Sequence, residues 1–230
     1  MNYIATNLAK VNERIRLACL AVQRQPESVK LLAASKRTDS AGVEEAVKAG
    51  HLLFGENRAQ SLRDKFDQLK FRCPDAEWHF IGHLQKNKVK YIVGRATMIH
   101  SLDSLQLAEA IVNRIKNQRA AGYNIPPMKV LIQVKLGDEA AKTGIDMAKV
   151  MPFASELMKR SELQLCGLMN IPPQQKEPIH WFTQMAELQQ RGLAEGFPLN
   201  ELSLGMSGDL EDAIKAGSTI VRLGTAIFSQ

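Results

Sequence analysis

Cysteine is scarce in this chain, and the three present, Cys19, Cys73 and Cys166, stand far apart. No CxxC and no Cys/His pair at ligand spacing occurs. A disulfide framework and a structural metal site are therefore not expected, and a reducing cytoplasm is the expected setting. Long apolar runs are missing too: nothing approaches the roughly 20 residues of a membrane-spanning helix. Near the N-terminus, Lys10, Glu13, Arg14 and Arg16 interrupt any apolar leader segment, so none is expected. Gly/Ser tracts, charge blocks and low-complexity segments are lacking, and residues 1–230 read as one domain. There is no GxGxxG or Walker sequence to argue for a nucleotide.

What is present suits a globular chain. Of 230 residues, 45% are hydrophobic and 23% charged, enough for a sizeable core without metal or disulfide staples. The net charge of +6 permits an anionic partner, whether a phosphorylated ligand or nucleic acid, without choosing between them.

The stretch LLAASK at 31–36 is a continuous apolar run ending on a lysine. Such a run suits a parallel strand covered on both faces. Parallel strands of α/β folds present their chemistry at the C-terminal ends, where Lys36 falls. A lysine amine held partly out of water is a nucleophile for aldehydes. The plainer reading is a buried stem with its ammonium in solvent.

Ahead of this strand, Ile4, Leu8, Val11, Ile15, Ala18 and Val22 alternate at steps of four and three, one face of an amphipathic helix. After it, strands are expected at 51–54, 77–81, 98–102, 129–134, 163–169, 201–204 and 218–223. Helical spacing occupies the intervals, including a basic helix at 84–93 and helices at 146–159, 178–194 and 209–216. Asp39 or Ser40, and then Asp103 or Ser104, are the expected caps of the helices that follow them. Eight strands in regular βα alternation imply a parallel sheet closed on itself. The expected fold is α/β, a single (β/α)8 TIM-type barrel with an extra N-terminal helix. A doubly wound open sheet would need fewer strands.

Polar residues and glycines recur at the expected strand ends: Lys36, Glu56 and Asn57, Gly82 and His83, residues 205–208, and Gly224 with Thr225. In barrels of this type phosphate binds at the loops after strands seven and eight. Ser207 and Thr225 add hydroxyls there, although the glycines alone would also make tight βα turns. Arg222 interrupts an apolar strand on the face opposite Val221 and Leu223. An arginine pointing into a barrel needs an acceptor. Glu56, Asp209 or a ligand are the candidates.

Three other features read as ordinary structure. His79 and His83 straddle a strand end and a glycine, so they are not expected to share a metal. Lys86, Lys88, Lys90 and Arg95 read as a solvated helix face rather than a nucleic-acid surface, because only Tyr91 supplies an interleaved aromatic. Cys166 lies within an apolar strand and reads as inert core.

Taken together, LLAASK at 31–36, FGEN at 54–57, WHFIGHLQKNK at 78–88, KTGI at 142–145, GLM at 167–169 and LSLGMSGDLEDAIKAGSTIVRLGTAIF at 202–228 carry a resemblance. Over essentially its whole length the chain resembles the YggS/PROSC family of pyridoxal phosphate homeostasis proteins. That family is similar in turn to the barrel domain of alanine racemases, the fold type III of pyridoxal phosphate (PLP) proteins. Residues 37–39, Ser61 and Asn170 depart from its pattern.

The resemblance implies that Lys36 holds the cofactor aldehyde as a Schiff base and that Arg222 faces the pyridine nitrogen. It implies Ser207, Gly224 and Thr225 as phosphate ligands, with Met206 and Asn57 lining the pocket. A permanent cation beside the pyridine nitrogen disfavours its protonation and weakens the ring as an electron sink. The expected function is therefore PLP homeostasis, a cofactor carrier or buffer without catalytic residues. PLP-dependent apoenzymes are the implied recipients, and a monomer with no nucleic-acid or membrane partner is expected. The alternative is a PLP-dependent amino-acid racemase-like enzyme. Such racemases take a second base from an additional β domain, which the chain ending at Gln230 is not expected to carry. Tyr3, Tyr91 and Tyr123 do not fall at expected strand ends.

Overall fold

The computed structural model describes residues 3–137, 143–172 and 177–229. Lys142, the first residue of KTGI, and Gln230 lie outside the described residues.

The chain opens with helix α1, Tyr3–Ala21, and then alternates strands with helices. The strands are β1 (Lys30–Ala34), β2 (Leu53–Glu56), β3 (Glu77–Phe80), β4 (Met98–Leu102), β5 (Met128–Lys135), β6 (Ile145–Asp146), β7 (Leu163–Met169), β8 (Glu201–Ser203) and β9 (Ile220–Leu223). The helices after α1 are α2 (Ser40–Lys48), α3 (Ala59–Leu69), α4 (Val89–Ile92), α5 (Leu105–Ala120), α6 (Val150–Met158), α7 (Pro178–Ala194), α8 (Leu210–Lys215) and α9 (Thr225–Phe228). Strand order runs β4-β3-β2-β1-β9-β8-β7-β5-β6, and a β4–β5 pairing closes the circle. All pairs are parallel, with Leu32 opposite Arg222 where the first and last strands meet. The result is the expected eight-stranded barrel, with β6 hanging outside it on the end of β5.

Two apolar layers hold it together. The larger lies between strands and helices and includes Phe54, Trp78, Phe80 and Phe182, each fully or almost fully buried. The smaller, Leu32, Met98, Leu131, Met169 and Ile220, comes from five strands and fills the interior. Neighbours on β1 divide between the two: Leu31 and Ala33 belong to the outer layer and Leu32 to the inner one. That explains why the strand reads as one unbroken apolar run. The interior also takes in His79, His100, Ser203 and Arg222, all buried.

Four expectations are corrected. First, β1 stops at Ala34, and Ser35–Arg37 form a 3-10 turn. Lys36 is therefore exposed on a turn rather than withdrawn in a strand. The Thr38 N–H closes the turn onto the Ser35 carbonyl at 3.1 Å, and the Ser35 hydroxyl donates to the Glu56 carboxylate at 2.8 Å. Second, the basic helix at 84–93 is a 3-10 turn, Lys86–Lys88, followed by the single turn α4; Gly94, at φ 86°, ends it. Third, the helix expected at 146–159 starts later, because Ile145–Asp146 pair with β5 and Met147–Lys149 form a 3-10 turn. Two residues are too few to show an alternation. Fourth, Cys166 is not enclosed in the core but packs against the edge of the inner apolar cluster. Val130 pairs with Leu165 and Leu131 with Gly167, which leaves Cys166 as the extra residue of a β-bulge. It is half-buried, and burial pushes its thiol up.

Helix α1 buries Ile4, Leu8, Val11, Ile15 and Cys19 against α8, α9 and α2, covering the seam between β1 and β9. The Asn7 amide adds bonds to the Ile227 and Ser229 carbonyls. Leu8→Ala is expected to lower stability by about 3 kcal/mol. Urea unfolding should show this as a shifted midpoint with an unchanged slope.

Candidate functional site

At the C-terminal ends of the strands lies a cavity of about 530 Å³. Lys36, Asn57, Met206, Ser207, Arg222, Gly224 and Thr225 all line it. Gln133, Thr143 and Ile171, which sequence reasoning did not assign to a site, line it too. The Gln133 amide donates to the Thr143 carbonyl at 2.9 Å and lies 3.0 Å from its hydroxyl, tying the loop after β5 to its strand. Nothing in the sequence pairs those two residues. Met206, Asn57 and Thr225 are exposed at the rim, and Ser207 is half-buried.

The turn carrying Lys36 is clamped from behind. From α3, Lys65 donates to the Ser35 carbonyl at 2.6 Å and to Glu56 Oε1 at 2.5 Å. Glu56 is almost fully buried and also accepts from Ser35. One ion pair thus ties the Lys36 turn to the strand end that leads into Asn57. It also answers the expectation for Glu56, whose charge is met by Lys65 and not by Arg222.

The loop after β8 is shaped by glycine and an acid. Gly205 has φ 90°, and a Cβ there would sit 2.5 Å from that of Ala213. Asp209 accepts the Met206 N–H at 2.5 Å, so this acid too is not hydrogen-bonded to Arg222. Arg14 of α1 donates to the Ser207 carbonyl at 2.9 Å while forking onto Glu211 at 2.5 and 2.7 Å. On the far side, a Cβ on Gly224 would lie 2.7 Å from the Ala34 carbonyl oxygen. The helical turn α9 follows at once, and the first N–H groups of such a turn have no partner inside it. Two backbone approaches with hydroxyls therefore face one cavity, an arrangement suited to an anion.

Arg222 forms the floor. It is 5% exposed, and its guanidinium donates to the Ser203 carbonyl and hydroxyl, both at 2.7 Å, and to the Asn170 carbonyl at 3.0 Å. All three acceptors are neutral. Burial pushes its pKa down to about 10, with Asp209 opposing from a distance, so it stays charged at neutral pH. Below it runs a line of polar contacts: Ser203 Oγ to His100 Nδ1 at 3.0 Å, and His100 Nε2 to His79 Nδ1 at 2.9 Å. His79 Nε2 then meets Glu77 Oε1 at 3.2 Å. His79 thus points inside the barrel, whereas His83 sits at the rim, 3.5 Å from Asp103. Tyr91 lies beneath Arg63, and Tyr3 and Tyr123 are exposed.

Two outcomes are expected. Lys65→Met strands a buried carboxylate and should cost about 3–5 kcal/mol, with Glu56→Gln in the same chain recovering part; denaturant melts read both. The His79 contact lowers the Glu77 carboxyl from 4.5 to about 2. A depressed carboxylate contributes stability above its unfolded pKa and loses it as pH falls through the folded one. Thermal melts should therefore drop between about pH 4.5 and 2, and less steeply in Glu77→Gln.

With this geometry in hand, comparison with known proteins is direct. The model of the alanine racemase N-terminal domain matches residues 5–230. The pyridoxal phosphate homeostasis protein of Escherichia coli (strain K12) is 41% identical, over 99% of this chain and 97% of its own length. PipY of Synechococcus elongatus PCC7942, solved with PLP bound, is 35% identical with a TM-score of 0.80, covering 98% of this chain and 100% of that one. A protein of unknown function from Bifidobacterium adolescentis, 33% identical, superposes with a TM-score of 0.90 over 98% of this chain and 94% of its own. The chain therefore belongs to the family of pyridoxal phosphate homeostasis proteins, built on the alanine racemase N-terminal barrel.

Proposed function

We propose that this protein binds pyridoxal 5'-phosphate reversibly, holding it as a Schiff base on Lys36, and serves as a carrier and buffer of the cofactor rather than a catalyst. The observation that carries this reading is a single cavity with an exposed lysine amine at one wall and a buried guanidinium at its floor. The cofactor supplies an aldehyde that condenses with amines and a ring that withdraws electrons when its nitrogen is protonated. Lys36 is the amine for the aldehyde. Ser207, Gly224 and Thr225 bind the phosphate, and Asn57 and Met206 border the ring.

Arg222 decides between holding and turnover. A group that stays charged and donates only hydrogen bonds opposes a proton on the ring nitrogen facing it. Exposure of Lys36 and of the cavity rim favours exchange of the bound cofactor. The names of the relatives and the PLP seen in PipY support the same assignment. We infer that PLP-dependent apoenzymes receive the cofactor, that the protein acts as a monomer and that it works in the cytoplasm. Among the described residues no helix is long and apolar enough to cross a membrane.

The purified protein loaded with PLP should be yellow, and borohydride should fix the label on Lys36, read by peptide mass spectrometry. Lys36→Ala should take no label; a reduced adduct on another lysine in the wild-type protein would overturn the assignment. Each lost hydrogen bond to a charged group costs about 1.5–3 kcal/mol, so Ser207→Ala with Thr225→Ala should weaken PLP binding at least about tenfold. Binding of pyridoxal, which lacks the phosphate, should not change. Sustained racemisation of an amino acid by the loaded protein would replace the carrier reading with the enzymatic one.

A further inference from the structure

The polar line beneath Arg222 has a property that distances alone do not convey: its protons can be arranged in one way only. Glu77, with its carboxyl lowered to about 2, is ionised at neutral pH and can only accept. Thr97 already donates to the same oxygen at 2.8 Å. His79 must therefore carry its proton on Nε2. A neutral imidazole has one donor and one acceptor, so His79 Nδ1 accepts. His100 must then donate from Nε2 and accept at Nδ1. Ser203 consequently donates its hydroxyl proton to His100 and accepts from Arg222. Every link points the same way, from Arg222 toward Glu77.

The reverse order does not close. A His79 protonated on both nitrogens would donate to His100, which would then donate from Nδ1 to Ser203. The Ser203 hydroxyl would face two donors, His100 and Arg222, with no acceptor for its own proton among the described residues. Burial also holds His100 well below the ordinary imidazole range, which keeps it neutral.

We propose that Ser203, His100 and His79 are positioning residues for Arg222, acting as one proton-ordered chain that fixes which face of the Ser203 hydroxyl the guanidinium meets. The outer end of the chain opens on a second cavity, of about 370 Å³, at the N-terminal ends of the strands. Glu77, Lys30, Glu201 and Lys129 border it, with Lys30 and Glu201 paired at 2.5 Å. A change at that mouth is thereby transmitted to the floor of the cofactor cavity without entering it. This rests on the reading of Arg222 as the group facing the cofactor ring. The proton order itself is a property of the ligand-free protein.

The test uses ligand-free protein labelled with ¹⁵N-histidine, in which long-range proton–nitrogen spectra distinguish the two tautomers. Both His79 and His100 should appear as neutral Nε2–H forms at pH 7. Glu77→Leu removes the terminal acceptor from a partly exposed position, and His100 should then populate both tautomers. Ser203→Ala should speed hydrogen exchange of the Arg222 side chain at least about tenfold, with Ser203→Thr restoring it. A charged or Nδ1–H His100 in the wild-type protein would overturn the proposal. So would a His100 spectrum indifferent to Glu77→Leu, or Arg222 exchange indifferent to Ser203→Ala. If Ser203→Ala does not fold, the wild-type and Glu77→Leu spectra still decide. Failure of PLP loading would leave these readings untouched and count only against the function proposed above.

Discussion

A guanidinium sealed inside a barrel and hydrogen-bonded to no carboxylate among the described residues is the constraint from which the rest of the site follows. Burying an ion costs several kcal/mol unless hydrogen bonds replace its water. Arg222 finds the Ser203 carbonyl and hydroxyl and the Asn170 carbonyl, all neutral. Bonds from a charged donor contribute about 1.5–3 kcal/mol each, enough to offset that cost without cancelling the charge. The positive field at the floor of the cavity is therefore left for whatever binds there. Had Glu56 or Asp209 paired with Arg222, the same fold would present a neutral floor.

Those two carboxylates are occupied elsewhere, and their occupations build the walls. Glu56 is held by Lys65 and Ser35 behind the Lys36 turn, and Asp209 caps the Met206 N–H in the loop after β8. Arg14, reaching from the N-terminal helix, fixes the Ser207 carbonyl. Two of the loops that face the cavity are thus tied to helices of the outer shell, which rest on the larger apolar layer. The barrel interior keeps only a small apolar cluster, and its remaining space goes to the polar residues under Arg222. Stability is concentrated outside the strands and electrostatics inside them.

Much of this was legible in the sequence. The strands Met98–Leu102 and Leu163–Met169 and the helix Pro178–Ala194 fall where the apolar patterns place them. Asp39 and Ser104, each one of two expected alternatives, do cap their helices. The seven residues that the family resemblance implies for the site surround one cavity at the strand ends that the βα rhythm marks out. What the sequence could not supply was pairing. His79 stands out in the sequence only beside His83, and His100 and Ser203 carry no signal of their own, since their contacts join positions up to 103 apart. Arg222 was recognisable as needing an acceptor, but the choice of backbone carbonyls over carboxylates depends on directions that periodicity does not carry. The Lys36 turn and the β-bulge at Cys166 lie outside periodicity for the same reason: each involves pairing with a neighbouring strand that the local pattern does not encode.

Protonation of the ring nitrogen that Arg222 is proposed to face separates a cofactor carrier from a catalyst. The direct measurement is nitrogen NMR of the loaded protein carrying pyridoxal phosphate labelled with ¹⁵N in the ring, followed from pH 6 to 8. A ring nitrogen that stays unprotonated throughout, and becomes protonated when Arg222 is replaced by glutamate, is the predicted result. A protonated ring nitrogen in the wild-type protein would contradict the role proposed for Arg222. The site would then be tuned for an electron sink, and the buried guanidinium would need another purpose.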